Sequence, residues 1–244
     1  MIDVRPLTER EDLKSVVRLQ RQIWGFEDVD LIPLRLFVVA SKIGGQVYGA
    51  FDGAQLIGFC MAIPGLKPGG KTYLHSHMLG VLPEYRNTGV GRTLKLTQRD
   101  DAMARGIDLI EWTFDPLEIK NAFFNMERLG AIVRRYVPNQ YGTTSSPLHG
   151  GLPTDRCIAE WWISSPRVTT ILDGGYFTHH PAEARVSIPS DIATIRANDP
   201  ASARGIQQKA SEQFRAAFDR GLAVIAFEKS EEAGTYLLGK WESA

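Results

Sequence analysis

The chain has 244 residues, 43% of them apolar and 23% charged, which are the proportions of a globular protein. Its 28 lysines and arginines balance 28 aspartates and glutamates, so the overall charge provides no attraction to nucleic acid or to an anionic membrane. Cys60 and Cys157 are too few for a disulfide framework and read as buried reduced thiols. Charged residues from Asp3 onward leave no signal-peptide core, and no apolar run reaches spanning length, so a cytoplasmic location is expected.

Residues 2–7 suit a short first strand. Thr8-Glu9-Arg10-Glu11 then reads as a capping box, with the threonine hydroxyl and the glutamate each satisfying a free N–H. Leu13, Val16, Val17, Ile23 and Trp24 recur at helical spacing as far as Gly25, and a second helix is expected over residues 33–42, opened by Pro33. Trp24 and Phe26 read as core aromatics. Residues 46–51 and 56–63 flank Asp52-Gly53, a hairpin signal. A loop rich in proline and glycine (64–70) leads to a strand over 72–82.

The stretch that follows carries the strongest chemical signal. Pro83 ends the strand, Arg86-Asn87-Thr88-Gly89-Val90-Gly91 forms a glycine loop, and a helix can then run to Gly106. The first N–H groups of a helix lack intrahelical acceptors and sit at the positive end of its dipole. A glycine loop lets a phosphate come close to them. There is no GxxxxGK[ST], and no third glycine completes a dinucleotide fingerprint. Arg86, Arg92, Lys95 and Arg99 flank this loop, either as ligand cations or as a solvated helix face.

Residues 107–114 form a strand broken by Asp115-Pro116. Ile119, Ala122, Phe123, Met126 and Leu129 then mark an amphipathic helix ended by Gly130. Strands over 133–137 and 157–163 are joined by a long loop containing Tyr141, Gly142 and His149-Gly150-Gly151. Beyond 165 come a strand over 184–188, a helix opened by Asp199-Pro200 and closed by Gly221, and a hairpin over 222–227 and 235–241. This β-α-β-β appendage (166–244) is short for a core of its own, so it is expected to dock on the first domain (1–165) or on a second subunit, which leaves room for a homodimer.

The R-x-x-G-x-G loop after V-x-P-x-x-R resembles the acyl-CoA loop of the GNAT (general N-acetyltransferase) superfamily. The element order β-α-α-β-β-β-α-β-α-β-β over 1–165 is similar to that family's. Residues 122–131, AFFNMERLGA, resemble its A-x-x-x-Y-x-x-x-G-F segment, with Ala122 and Gly130 in register. The LHSHM, WTFDPL, NAFFN and RLGA segments together resemble a bacterial group of GNAT acyltransferases.

The resemblance implies an α/β (α+β) fold with a mixed sheet and acetyl-CoA or another acyl-CoA as cosubstrate, with no metal. It also implies that the strand before the loop splays from its neighbour. Main-chain groups of Leu79, Gly80 and Val81 would hold the pantetheine arm there, one N–H polarising the thioester carbonyl. Arg86, Asn87, Thr88, Gly89, Val90, Gly91, Arg92 and Thr93 would hold the pyrophosphate, and Asn121 and Asn125 would add contacts. Two positions depart from the family pattern. Met126 stands where many members carry a tyrosine that protonates the leaving thiolate, and Ile119 stands where they carry an asparagine.

The reaction expected is acyl transfer, of acetyl or a longer acyl such as succinyl, to the amine of a small molecule. A regulatory acyl-CoA-binding module without catalysis and a protein acetyltransferase are the alternatives. Amine attack on a thioester needs a base, a stabilised oxyanion and a proton for sulfur. His75 and His77 share a strand face and can titrate near neutrality; without a third ligand they do not make a metal site. His77 is the candidate base. Glu111, Thr113 and Asp115 share a face of the next strand, which makes Glu111 a base or ammonium anchor and Asp115 either that or a helix cap. Because Met126 has no proton to give, Tyr141 is the candidate acid, preferred to the strand-embedded Tyr136.

Overall fold

The structure is a computed structural model and describes residues 2–142 and 151–241, so His149 and Gly150 of the long loop lie outside it. The chain folds as two compact units that divide within one strand: the first ends at Glu111 and the second begins at Trp112.

In the first unit β1 (Ile2–Pro6), α1 (Arg10–Trp24) and α2 (Leu34–Lys42) precede three long strands, β2 (Gln46–Asp52), β3 (Gln55–Leu66) and β4 (Thr72–Val81). These are followed by α3 (Val90–Ala104) and the first half of β5 (Leu109–Phe114). The strand order is β1-β2-β3-β4-β5, antiparallel as far as β4 and parallel between β4 and β5. Leu13, Val16, Leu19 and Ile23 of α1 and Phe37 and Ala40 of α2 are buried with Ile57, Phe59 and Met61 of β3. Trp24 meets Phe59 edge-on and packs against this core as expected, whereas Phe26, stacked on Trp24, is half-buried and lies outside the core cluster. A side chain on Gly80 would lie 2.5 Å from Trp24, whereas one on Gly91 would lie 3.7 Å from Leu79; α1 and α3 therefore cover opposite faces of β4.

Two local expectations are corrected here. Helix α1 starts at Arg10 with Glu9 as its cap residue and no side-chain cap bond, so Thr8 stands one position too early for its hydroxyl to cap. The loop expected over 64–70 is shorter, because β3 continues to Leu66 and Pro64 pairs in register with Leu74. Beyond Ala62 the pairing of β3 is to β4 alone, and a strand edge tolerates proline's missing N–H.

The second unit takes in the end of β5, then α4 (Ile119–Phe123), which continues as a π-turn over Phe124–Arg128. Next come β6 (Ile132–Val137), β7 (Arg156–Trp162), α5 (Pro166–Leu172), β8 (Ala184–Pro189), α6 (Ile192–Asn198), α7 (Pro200–Asp219), β9 (Ala223–Lys229) and β10 (Ala233–Gly239). Its strand order is β5-β7-β6-β9-β10-β8. The C-terminal segment therefore contains α5 and α6 as well as the expected β-α-β-β. Ser165-Pro166 was the readable signal for α5: the serine hydroxyl accepts from the Val168 N–H and proline opens the helix. Asp199 caps α7 as expected, accepting from the Ser202 N–H at 3.0 Å. Strand β9 pairs with β6 at Val133 and Val224, and Phe214 of α7 stacks on Tyr136 and meets Tyr236 edge-on.

Candidate functional site

Strand β4 pairs with β3 along its whole length but with β5 at only Leu74 and His75. The N–H of Leu82 donates to the Ile57 carbonyl at 2.9 Å. Alternation along an antiparallel ladder then turns Gly80 toward β3 and turns the main-chain groups of Leu79 and Val81 away from it. The Val81 carbonyl accepts there from Arg86 Nε at 3.3 Å. Leu79 and Val81 thus lie on the edge of β4 where an extended ligand can add as a strand.

After a 3₁₀ turn over Pro83–Tyr85 the chain passes through two left-handed residues, Asn87 with φ of 64° and Gly89 with φ of 96°. The second is strained for any residue with a side chain, which accounts for glycine there. Thr88 Oγ1 donates to the Tyr85 carbonyl at 2.7 Å, and the Tyr85 hydroxyl donates to Asp52 at 3.0 Å, fixing the loop on the β2 end. Helix α3 closes its first turn with the Thr93 N–H on the Gly89 carbonyl, and Gly89 supplies no capping side chain. The N–H groups of Val90 and Gly91 therefore open the helix without intrahelical acceptors. Arg86 braces the loop, its Nη2 donating to the Ile23 carbonyl at 3.4 Å.

The β3–β4 register shifts so that Met61 faces Met78 while Ala62 faces Ser76, leaving His77 as an extra residue in β4. This bulge inverts the side-chain alternation. Ser76 joins Leu79 and Val81 on the α3 face, where its Oγ accepts from Lys95 Nζ at 2.8 Å and donates to Gln98 at 2.9 Å. The rings of His75 and His77 stay together, with centroids 5.8 Å apart. Burial pushes His75 down to about 4, with His77 adding to the shift and Glu111 opposing it. Burial also lowers His77, so both imidazoles are neutral at physiological pH. Glu111, opposite His75 in register, is 3% exposed, and its two oxygens accept from Lys67 Nζ at 2.6 and 2.7 Å.

Lys95 differs from expectation. It does not flank the loop as a surface cation but is 3% exposed, and burial lowers it to about 7. The buried spacing Val90, Leu94, Lys95, Gln98, Ala102 was legible as a helix stripe; a lysine in that stripe was the signal missed. Lys67, in a proline- and glycine-rich loop, had no sequence signal at all.

The remaining predicted residues belong to the second unit. The Tyr141 hydroxyl lies 2.9 Å from Thr113 Oγ1 of β5, and the Tyr141 ring is 43% exposed. Tyr136 is committed elsewhere, donating to Asp155 at 2.6 Å, and burial together with that bond raises its phenol. Asp115 accepts from the Leu117 N–H at 2.8 Å in a turn ahead of α4 and pairs with Arg196; the cap residue of α4 is Glu118, with no side-chain cap bond, so Asp115 does not cap that helix as expected. Asn121 is exposed, Asn125 is buried with its Nδ2 lacking a partner among the described residues, and Met126 is fully buried in the π-turn. Among the described residues, no group of three or more His, Cys, Asp and Glu side chains is placed to hold a metal.

Residues 13–130 match the family described as Acetyltransferase (GNAT) family. No curated protein sequence matches the chain. Among solved structures, NAA60 of Arabidopsis thaliana with a bisubstrate analogue is 17% identical at a TM-score of 0.54, over 66% of this chain and 98% of that one. The ribosomal-protein alanine N-acetyltransferase of Escherichia coli is 18% identical at 0.52, over 68% and 96%. The structure of yncA from Salmonella typhimurium with acetyl-CoA is 15% identical at 0.54, over 68% and 95%. At these identities the likeness is one of fold. The matched family, together with the partly unpaired strand, glycine loop and helix start described above, identifies residues 13–130 as a domain of the GNAT acetyltransferase family.

Proposed function

We propose that the protein is an acetyl-CoA-dependent N-acetyltransferase acting on the amine of a small molecule. The observation that carries this reading is the β4 edge at Leu79 and Val81 leading into the first N–H groups of α3, those of Val90 and Gly91. The edge suits the amide-bearing pantetheine arm and the helix start suits its pyrophosphate. Acetyl-CoA, named with the yncA structure, is the donor assigned here. His77, neutral at physiological pH, is the proposed base, because the Lys67 ammonium already occupies both oxygens of Glu111. Glu111 then serves as the counter-charge beside the histidine pair. Tyr141 is the proposed acid for the leaving sulfur.

A side chain on Gly91 would meet protein no nearer than 3.7 Å, so Gly91→Asp leaves the fold room while placing a carboxylate beside the pyrophosphate. In calorimetry it should weaken CoA binding at least ~10-fold, with an unchanged circular dichroism spectrum. Unaltered affinity in a folded variant removes this loop from the donor site. A protein α-amine as acceptor is the second reading, favoured by the Escherichia coli relative's substrate. Free-thiol release from acetyl-CoA, compared between pooled small amines and pooled peptides, separates the two.

A further inference from the structure

The second unit holds a cavity of about 510 Å³ that plays no part in the transfer chemistry above. It is walled by α5, the segment after it and the end of β10, with Arg167, Phe177, His179, Ile225, Lys240 and Trp241 among its lining residues. Among the described residues neither Asp nor Glu lines it, while Arg167 and Lys240 do.

Arg167 is only 3% exposed and rigidly held. Its Nε donates to the Gly130 carbonyl at 2.9 Å and its Nη2 to the Met126 carbonyl at 3.4 Å. Those bonds use one edge of the guanidinium fork, and the other edge, at Nη1, makes no hydrogen bond to the described residues. The carboxylate that acts on Arg167 is Glu127, which accepts from the Phe227 N–H at 2.8 Å. On the same wall the Trp241 indole N–H is buried and finds no acceptor among the described residues. A buried donor without an acceptor costs roughly 1–3 kcal/mol, so a ligand acceptor there is favoured. Phe177, whose ring centroid is 5.8 Å from Arg167, and Ile225 supply apolar surface. We propose that this cavity is a binding site for a small organic carboxylate with a flat apolar body, its oxygens meeting Arg167, Lys240 and the Trp241 indole N–H and its body lying between Phe177 and Ile225.

The test is calorimetric titration of the full chain with 3-phenylpropionate, with its neutral analogue 3-phenylpropanamide, and with inorganic phosphate. The carboxylate should bind with one-to-one stoichiometry, and the amide and phosphate at least ~10-fold more weakly, since a hydrogen bond to a charged partner is the stronger kind. Arg167 also secures the Gly130 and Met126 carbonyls, so the informative variants are Trp241→Phe and Lys240→Gln, each expected to weaken the carboxylate ~3- to 10-fold without lowering the melting temperature. Equal affinities for carboxylate and amide would overturn the proposal. So would absence of heat at millimolar ligand, or affinity unchanged in both variants.

Discussion

Tyr136 and Tyr141 are five residues apart and have opposite fates. The Tyr136 phenol is tied to Asp155 and stacked on Phe214, whereas the Tyr141 hydroxyl meets Thr113 Oγ1 at an exposed position. Tyr141→Phe should lower kcat by ~10²-fold with a smaller change in KM, measured where chemistry limits the rate; an unchanged kcat there leaves water as the acid. Tyr136→Phe should act on stability instead, costing about 1–3 kcal/mol by leaving an Asp155 oxygen without its donor, read as a lower melting temperature. His75 makes a pH-dependent contribution. Its folded-state pKa of about 4 lies below the ordinary 6.5, so the unfolded chain binds the extra proton first. Stability attached to His75 is therefore present above pH 6.5 and lost as pH falls toward 4, on the order of 3–4 kcal/mol in all. A His75→Gln variant should show a flatter dependence of melting temperature over that window.

At the scale of elements, β4 and α3 build the site together, and one bulge sets what each face offers. With the extra residue at His77, Ser76 is directed to Lys95 and Gln98 while the histidines remain paired. Lys95 is a buried cation in a layer that also holds Cys60, whose thiol burial pushes up to about 12. The unfolded chain keeps its Lys95 proton up to roughly pH 10.4, while the folded chain releases it near 7, so the wild type gains stability from this group as pH rises between those values. Lys95→Met should therefore be more stable than wild type at pH 7, and its advantage should narrow by pH 9, as followed by urea unfolding. An advantage independent of pH would show that Lys95 does not titrate in that range.

At the scale of the whole molecule, the segment after residue 165 supplies partners to strands that precede it. Val224 of β9 pairs with Val133, the Tyr236 hydroxyl donates to the Pro116 carbonyl at 2.7 Å, and Phe214 covers Tyr136. A fragment comprising residues 1–165 leaves the second edge of β6 open and an aromatic face in water, and exposed apolar edges associate. It should aggregate on expression, as size-exclusion chromatography would show; a monomeric and fully active fragment would make the segment dispensable.

Local chemistry was enough to write down the strand–glycine-loop–helix order, the Asp199-Pro200 cap of α7, the buried cysteines and the hairpin at Asp52-Gly53, because each depends on residues within a turn or two of one another. Tertiary structure decided the rest. The Lys67–Glu111 ion pair joins residues 44 positions apart, and the His77 bulge exists only in the pairing of β4 with β3. Lys95 became a core residue because α3 lies against β4 at Ser76. Side-chain periodicity fixes which residues share a face, but the partner of that face is chosen by packing between segments distant in sequence, and no local pattern encodes it.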